Sequence, residues 1–176
     1  KEAEIHPWDK LCVNTIGPYN FEIPRVQKLT LQAVTMIDLA TGLFDMKPIT
    51  SPRANLNANI IEQNWLSQYP WPTQVICNRG NEFLAETVAI LRNNYSIKRK
   101  PITVRNPQAN AIIERAHRTV GNIIRTFELQ KTPLDKENPW DGIVAATVFA
   151  IRSTLHTTLN ASPMQLAFGR DAILNV

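Results

Sequence analysis

The stretch NPQANAIIERAHRTVGNIIRTF, residues 106–127, decides how the chain is read. Its apolar residues Ile113, Ala116, Val120, Ile123 and Phe127 recur at steps of three and four, which is one buried stripe along an α-helix. Pro107, with Asn106, Gln108 and Asn110 around it, reads as a loop over 106–110 that feeds the helix start. Opposite the stripe Glu114, Arg115, Arg118, Asn122 and Arg125 follow one another by a turn or two, so a single carboxylate stands among guanidinium groups. Glu114 is therefore a candidate site residue, set against the plainer reading of a solvated charge on an exposed helix face.

Two stretches upstream bear on that choice. In VICNRGNEF, residues 75–83, the apolar run ending at Cys77 reads as a short strand, Asn78 as its end and Asn81 as the cap of the next helix. In LCVNTIGPY, residues 11–19, another strand places Asn14 near its end, with Gly17 and Pro18 terminating it. Between Asn78 and Glu114 lie 35 residues, 79 to 113.

These stretches resemble the catalytic core of retroelement integrases, of the long-terminal-repeat retrotransposon kind related to retroviral integrases. That family carries Asp on the first strand, Asp after the fourth, then 35 residues, then Glu on a helix. WDKLCVNTIGPY (8–19), VICNRGNEF (75–83) and NPQANAIIER (106–115) match it in order and spacing. TMIDLATG (35–42) and SPMQLAFGR (162–170) carry the likeness over nearly the whole chain. The departure is as informative as the match, because both Asp positions hold Asn here, Asn14 and Asn78, and only Glu114 keeps its carboxylate.

The resemblance implies a single α/β domain over 1–176 with the ribonuclease H-like fold, a five-stranded mixed sheet flanked by helices. It also implies DNA integration, meaning 3′-end processing and strand transfer by two-metal phosphodiester chemistry, with Mg²⁺ or Mn²⁺ held at positions 14, 78 and 114. DNA (element ends and target) is the implied substrate, a homo-oligomer and a host targeting protein the implied partners, and the nucleus the implied location. The zinc-binding and C-terminal domains that flank such cores are not in this sequence, which reads as an excised core. An asparagine offers a hard cation one neutral carbonyl oxygen where aspartate offers a charged carboxylate. The expectation is a chain that binds metal weakly or not at all and is catalytically inactive. Deliberate Asp→Asn exchange would leave such a chain; so would a naturally decayed or host-adopted integrase that serves as a DNA- or protein-binding module.

Composition agrees with a nucleic-acid partner. At 176 residues, 44% of them hydrophobic, the chain has the material for one full core, and no run of about 18 apolar residues suggests a membrane span. The net charge of +4 favours a polyanion. Lys98 and Lys100, in the basic segment before the decisive stretch, join Asn106, Gln108, Arg115, Arg118 and Arg125 as the expected DNA-contacting set. Cys12 and Cys77 lie in apolar strands with no Cys/His cluster nearby and read as reduced core thiols. His6, His117 and His156 are too scattered to form a ligand set. Asp38 precedes a Thr-Gly turn and reads as a turn former.

The remaining elements follow from period and punctuation. Strands are expected at 11–16, 29–38, 43–49, 75–77 and 97–104, the last an edge strand because Pro101 cannot donate to a ladder. Helices are expected at 54–68, 82–95, 140–155 and just after Ser162.

Overall fold

The computed structural model describes residues 6–21, 29–49, 54–77, 82–101, 107–130, 137–157 and 159–171. Five strands form one mixed sheet: β1 (Lys10–Phe21), β2 (Leu29–Asp38), β3 (Phe44–Pro48), β4 (Gln74–Cys77) and β5 (Lys98–Pro101). Their order across the sheet is β3-β2-β1-β4-β5. The β1–β2–β3 ladders are antiparallel, whereas β4 and β5 run parallel to β1. β5 is the edge strand that Pro101 required.

The described residues also form five α-helices: α1 (Ala54–Ile61), α2 (Glu82–Tyr95), α3 (Pro107–Gln130), α4 (Asp141–Ser153) and α5 (Pro163–Phe168). Alternation along the strands sorts the core into two halves, because successive side chains leave opposite faces of a sheet. Leu11, Val13, Val34, Met36, Val75 and Cys77 pack with Ile61, Trp65, Val88 and Leu91, on the side of α1 and α2. Cys12, Ile16, Ala33, Ile37 and Ile76 pack with Ile113, Val120, Ile124, Ile143 and Val144, on the side of α3 and α4. Both sheet faces are thus covered, the layering that the element order implied. Cys12 and Cys77 are buried free thiols in opposite halves. Burial pushes the Cys12 thiol far above its ordinary range.

Four local expectations are corrected. Gly17 and Pro18 do not end β1; the ladder with β2 shifts register between Ile16 and Tyr19 and continues to Phe21. A bulge absorbs the residues that cannot pair, and Gly17, at φ 91°, is the residue that permits it. A Cβ there would run into the carbonyl oxygen of Leu31. The first long helix does not stay α-helical to 68: α1 gives way to a π-helical turn at Glu62–Leu66. The wider turn places Leu66 as well as Trp65 on the buried side, and the Tyr95 hydroxyl donates to Glu62 from α2. Residues 107–110 are not loop but the first turn of α3, with Pro107 at the start, where a missing N–H costs nothing. Finally, the buried stripe of α3 runs through Ile113, Val120 and Ile124, with Ile123 only half-buried. At 3.6 residues per turn Ile124 lies about 20° from Ile113 around the helix axis and Ile123 about 80°. Residues 102–104 of the expected fifth strand lie outside the described residues.

Two devices hold the last helices in place. The Arg152 guanidinium, on the last turn of α4, donates from Nε to the Phe44 carbonyl at 2.7 Å and from Nη2 to Asp45 Oδ2 and Tyr69 Oη at 3.2 and 3.1 Å. That ion pair is largely buried, with side-chain exposures of 17% and 10%. α5 opens on a capping box in which Gln165 N–H donates to Ser162 Oγ and Ser162 N–H to Gln165 Oε1. Its Phe168 ring meets Trp8 and Tyr69, which stack 5.5 Å apart, so the first described residues and the last helix share one aromatic cluster.

Candidate active site between β1 and helix α3

Asn14 is 9% exposed. By alternation it shares the α3-facing side of the sheet with Cys12 and Ile16, both in the core that α3 covers. It is not at the end of β1: across the antiparallel ladder it stands opposite Thr35, well inside the pairing. The strand-end character belongs to the other neighbour, because the parallel ladder with β4 runs to Val13 opposite Cys77 and has no described pair beyond it. Asn78 lies outside the described residues, as do Asn81 and Asn106.

A hydrogen-bond chain ties this place to α3. The Thr35 hydroxyl donates to the main-chain carbonyl of Asn14 at 3.3 Å, and the same hydroxyl oxygen lies 3.1 Å from His117 Nε2. With the hydroxyl hydrogen used on Asn14, Nε2 carries a hydrogen and donates to Thr35. His117 is three residues after Glu114, one helical turn, so the link brings the turn that begins at Glu114 alongside Asn14. One turn further on, Gly121 faces the Tyr19 hydroxyl, which a Cβ there would approach to 3.8 Å. α3 therefore follows β1 from Asn14 to Tyr19. The sequence puts His117, alone of the three histidines, near the presumed site without giving it a role, and does not mark Thr35. The available signal was the one-turn spacing between His117 and Glu114.

Glu114, Arg115, Arg118, Asn122 and Arg125 are all exposed, as the helix period required. Arg125 donates to Asn122 Oδ1 at 3.4 Å and lies close enough to Tyr19 to offset part of the rise that burial gives its hydroxyl pKa. Arg115 departs from this surface: its Nη1 donates to His156 Nε2 beside the segment that follows α4. Lys98 is exposed on edge strand β5. Lys100 and Gln108 have their backbone in β5 and α3, and their side chains lie outside the described residues.

The donor set at this place is mostly neutral. Among the described residues no three His, Cys, Asp or Glu side chains are grouped to share a metal ion. Neither nearby aspartate on the antiparallel half of the sheet fills the gap. Asp38 is buried, accepting from Trp8 N–H on Oδ1 and from the Thr41 N–H and hydroxyl on Oδ2, the turn-forming role expected of it. Asp45 is paired with Arg152. The described part of this donor set, an amide at Asn14 and the exposed carboxylate of Glu114, does not fit Mg²⁺, which surrenders its waters reluctantly and then to anionic oxygen.

Burial lowers the His117 pKa below 6.5. A group whose folded pKa is depressed binds its proton more tightly when unfolded, so its contribution is present above that ordinary value and is lost as pH falls through the folded one. Thermal stability is accordingly expected to decline on acidification below about pH 6.5, in the window where the unfolded histidine charges first. His117→Gln keeps an N–H donor without a proton to take up, and should flatten that part of a melting-temperature profile. An unchanged profile would remove His117 from the linkage.

No protein-family model matches the chain. It is 28% identical over 173 residues to the retrovirus-related Pol polyprotein from transposon 412 of Drosophila melanogaster, an alignment that covers 98% of this chain and 13% of the polyprotein. Among solved structures, the HTLV-2 integrase catalytic core domain in complex with magnesium, in its trimeric form, superposes with a TM-score of 0.70 at 13% identity, covering 93% of this chain and 98% of that one. The catalytic core domain of BIV integrase gives 0.65 at 15% identity, with 90% and 93% covered. The simian T-cell lymphotropic virus intasome in complex with the PP2A regulatory subunit B56 gamma gives 0.73 at 10% identity, covering 97% of this chain and 58% of that one. The chain is thus similar in sequence, along nearly its whole length, to a retrotransposon Pol polyprotein of which it spans about an eighth, and it shares the ribonuclease H-like fold of retroviral integrase catalytic cores.

Proposed function

We propose that the chain serves as an integrase core that holds DNA and, with asparagine at positions 14 and 78, does not cut or join it. The observation that carries this reading is a buried asparagine, Asn14, whose main-chain carbonyl is linked through Thr35 and His117 to the helix turn that bears the exposed carboxylate Glu114. Integrase chemistry is in-line attack of an oxygen on a phosphodiester, and its metal ions need anionic ligands on both the attacking and the leaving side. A unit charge pair about 4 Å apart is worth roughly 4 kcal/mol at an effective dielectric near 20, and two such charges are missing here. What remains for this chain's residues is to bind and orient the polyanion.

Arg118 and Arg125 supply that binding: they are exposed, seven residues apart on one face of α3, and follow Glu114 along it. Contacts of this kind go to phosphates and fix register without reading bases. Binding to duplex DNA should therefore weaken steeply as salt rises, and Arg118→Ala should reduce the slope of log affinity against log salt by about one unit. Affinity and slope both unchanged would leave α3 with a solvated face and no DNA. Lys98 on β5 belongs to the same proposal, as does action in the host nucleus, where the element's target DNA lies. So does self-association, which the trimeric HTLV-2 core suggests by analogy; the outward face of α4, with Ala145, Ala146 and the half-exposed Phe149, offers apolar surface for it. A single monomeric species on sedimentation would remove that part.

A further inference from the structure

A cavity of about 430 Å³ opens on the far side of Arg115, between the turn after β2, helix α3 and the segment that follows α4. Its volume falls in the range of small-molecule sites, roughly 300–1,000 Å³. The walls are mostly aliphatic: Leu39 from the turn, Ile112 and Ala116 from α3, Ile151 from α4, and Leu155 and Leu159 beyond it. Leu155 and Leu159 are more than half exposed, at 53% and 54%, so two leucines face water on one short segment.

Among the described residues one charge lines this apolar cavity, the Arg115 guanidinium, and no carboxylate does. Among the described residues Arg115 makes no ion pair. Its recorded partner is His156, whose Nε2 accepts from Arg115 Nη1. An arginine never gives up its proton, so His156 is the acceptor and its own ring hydrogen sits on Nδ1. That nitrogen is buried and has no hydrogen-bond partner among the described residues. Beside Arg115 the described polar lining consists of His156 and the threonines Thr41, Thr119, Thr154 and Thr157, all neutral side chains, so no described group there is an anionic acceptor. Arg115 has further N–H groups in a planar fork, and a carboxylate is the group that meets such a fork in two parallel bonds. A phosphate dianion would bring the same oxygens against aliphatic walls at a higher desolvation cost.

We propose that this cavity is a binding site for a small apolar carboxylate, its hydrocarbon or aryl body between Leu39, Ile112 and Leu155 and its carboxylate on Arg115. The site is separate from Asn14 and requires neither metal nor DNA, so its test does not depend on the integrase reading. Titrate the isotope-labelled chain with indole-3-acetate and, in parallel, with the neutral indole-3-acetamide, following backbone amide resonances. The acid should give saturable shifts confined to residues 38–42, 112–119 and 151–159, and the amide should bind at least tenfold more weakly. In Arg115→Gln, an exchange at an exposed position, the acid should fall to the affinity of the amide while the amide is unchanged. Equal binding of acid and amide by the unaltered chain, shifts centred elsewhere, or no shift up to the solubility limit of the acid would each overturn the proposal.

Discussion

Replacing Asn14 and Asn78 together by aspartate is expected to turn a chain that leaves Mg²⁺ and Mn²⁺ unbound at millimolar concentration into one that binds them, and to recover strand transfer on model DNA ends. Each single replacement should recover little. Two ions that share ligands stabilise the attacking and leaving oxygens as a unit, and effects within such a unit are far from additive. Restoring one charge leaves a site that still lacks the other. The gain in metal affinity should reach orders of magnitude, since each restored charge acts on a divalent ion at short range. Stability should move the other way before metal is added. Asn14 is buried, and bringing two carboxylates toward Glu114 adds desolvation and like-charge repulsion. The double replacement should therefore melt below the parent chain in chelator and above it in Mn²⁺. Calorimetric titration of both forms decides the matter. Tight Mn²⁺ binding by the asparagine form, or none by the double replacement, would show that 14 and 78 are not metal positions.

The largest loss of stability expected from one side chain is at Arg152. Its guanidinium serves Phe44, Asp45 and Tyr69 at once, in a setting that leaves 17% of its side chain and 10% of Asp45's exposed. Arg152→Met fills the volume but strands the Asp45 carboxylate and removes the donor from a backbone carbonyl on β3. Breaking a buried pair from one side costs about 3–5 kcal/mol. For a domain of this size that corresponds to a melting temperature lower by roughly 6–20 °C. Adding Asp45→Leu should return most of the loss, because two apolar side chains bury no uncompensated charge. Urea unfolding of the single and double variants measures both steps. A loss below about 1 kcal/mol for Arg152→Met would mean that the pair behaves as a surface ion pair despite its burial.

Much of this architecture was legible in the sequence, because period, Pro and Gly are local signals. Alternation and short apolar runs marked the strands, the three-and-four spacing marked α3, Ser162 marked the cap of α5, and Pro101 marked the edge strand. The likeness to integrase cores was equally local, resting on short stretches whose order and spacing survive in the linear chain. Where the local reading slipped, another part of the molecule had outvoted it. Gly17 and Pro18 look like a strand end until β2 supplies a partner past the bulge. A regular helix to residue 68 is the natural reading of the 54–68 stretch until Tyr95, from a different helix, engages Glu62 and both Trp65 and Leu66 must be buried.

The site divides in the same way. The sequence by itself determined the chemistry of the candidate positions: asparagine at 14 and 78 where the resembling family has aspartate, glutamate at 114, and a basic face at helical period. Only the tertiary structure decided which groups stand together. Thr35 meets His117 from 82 positions away, and Arg152 meets Asp45 from 107. Arg115, one residue from Glu114, turns to His156 and an apolar cavity instead of joining the surface on which Arg118 and Arg125 are exposed. The physical reason is common to all three: a side chain's type and its direction along a helix or strand are set by its neighbours in sequence, whereas its partner is set by which elements the buried apolar faces bring into contact.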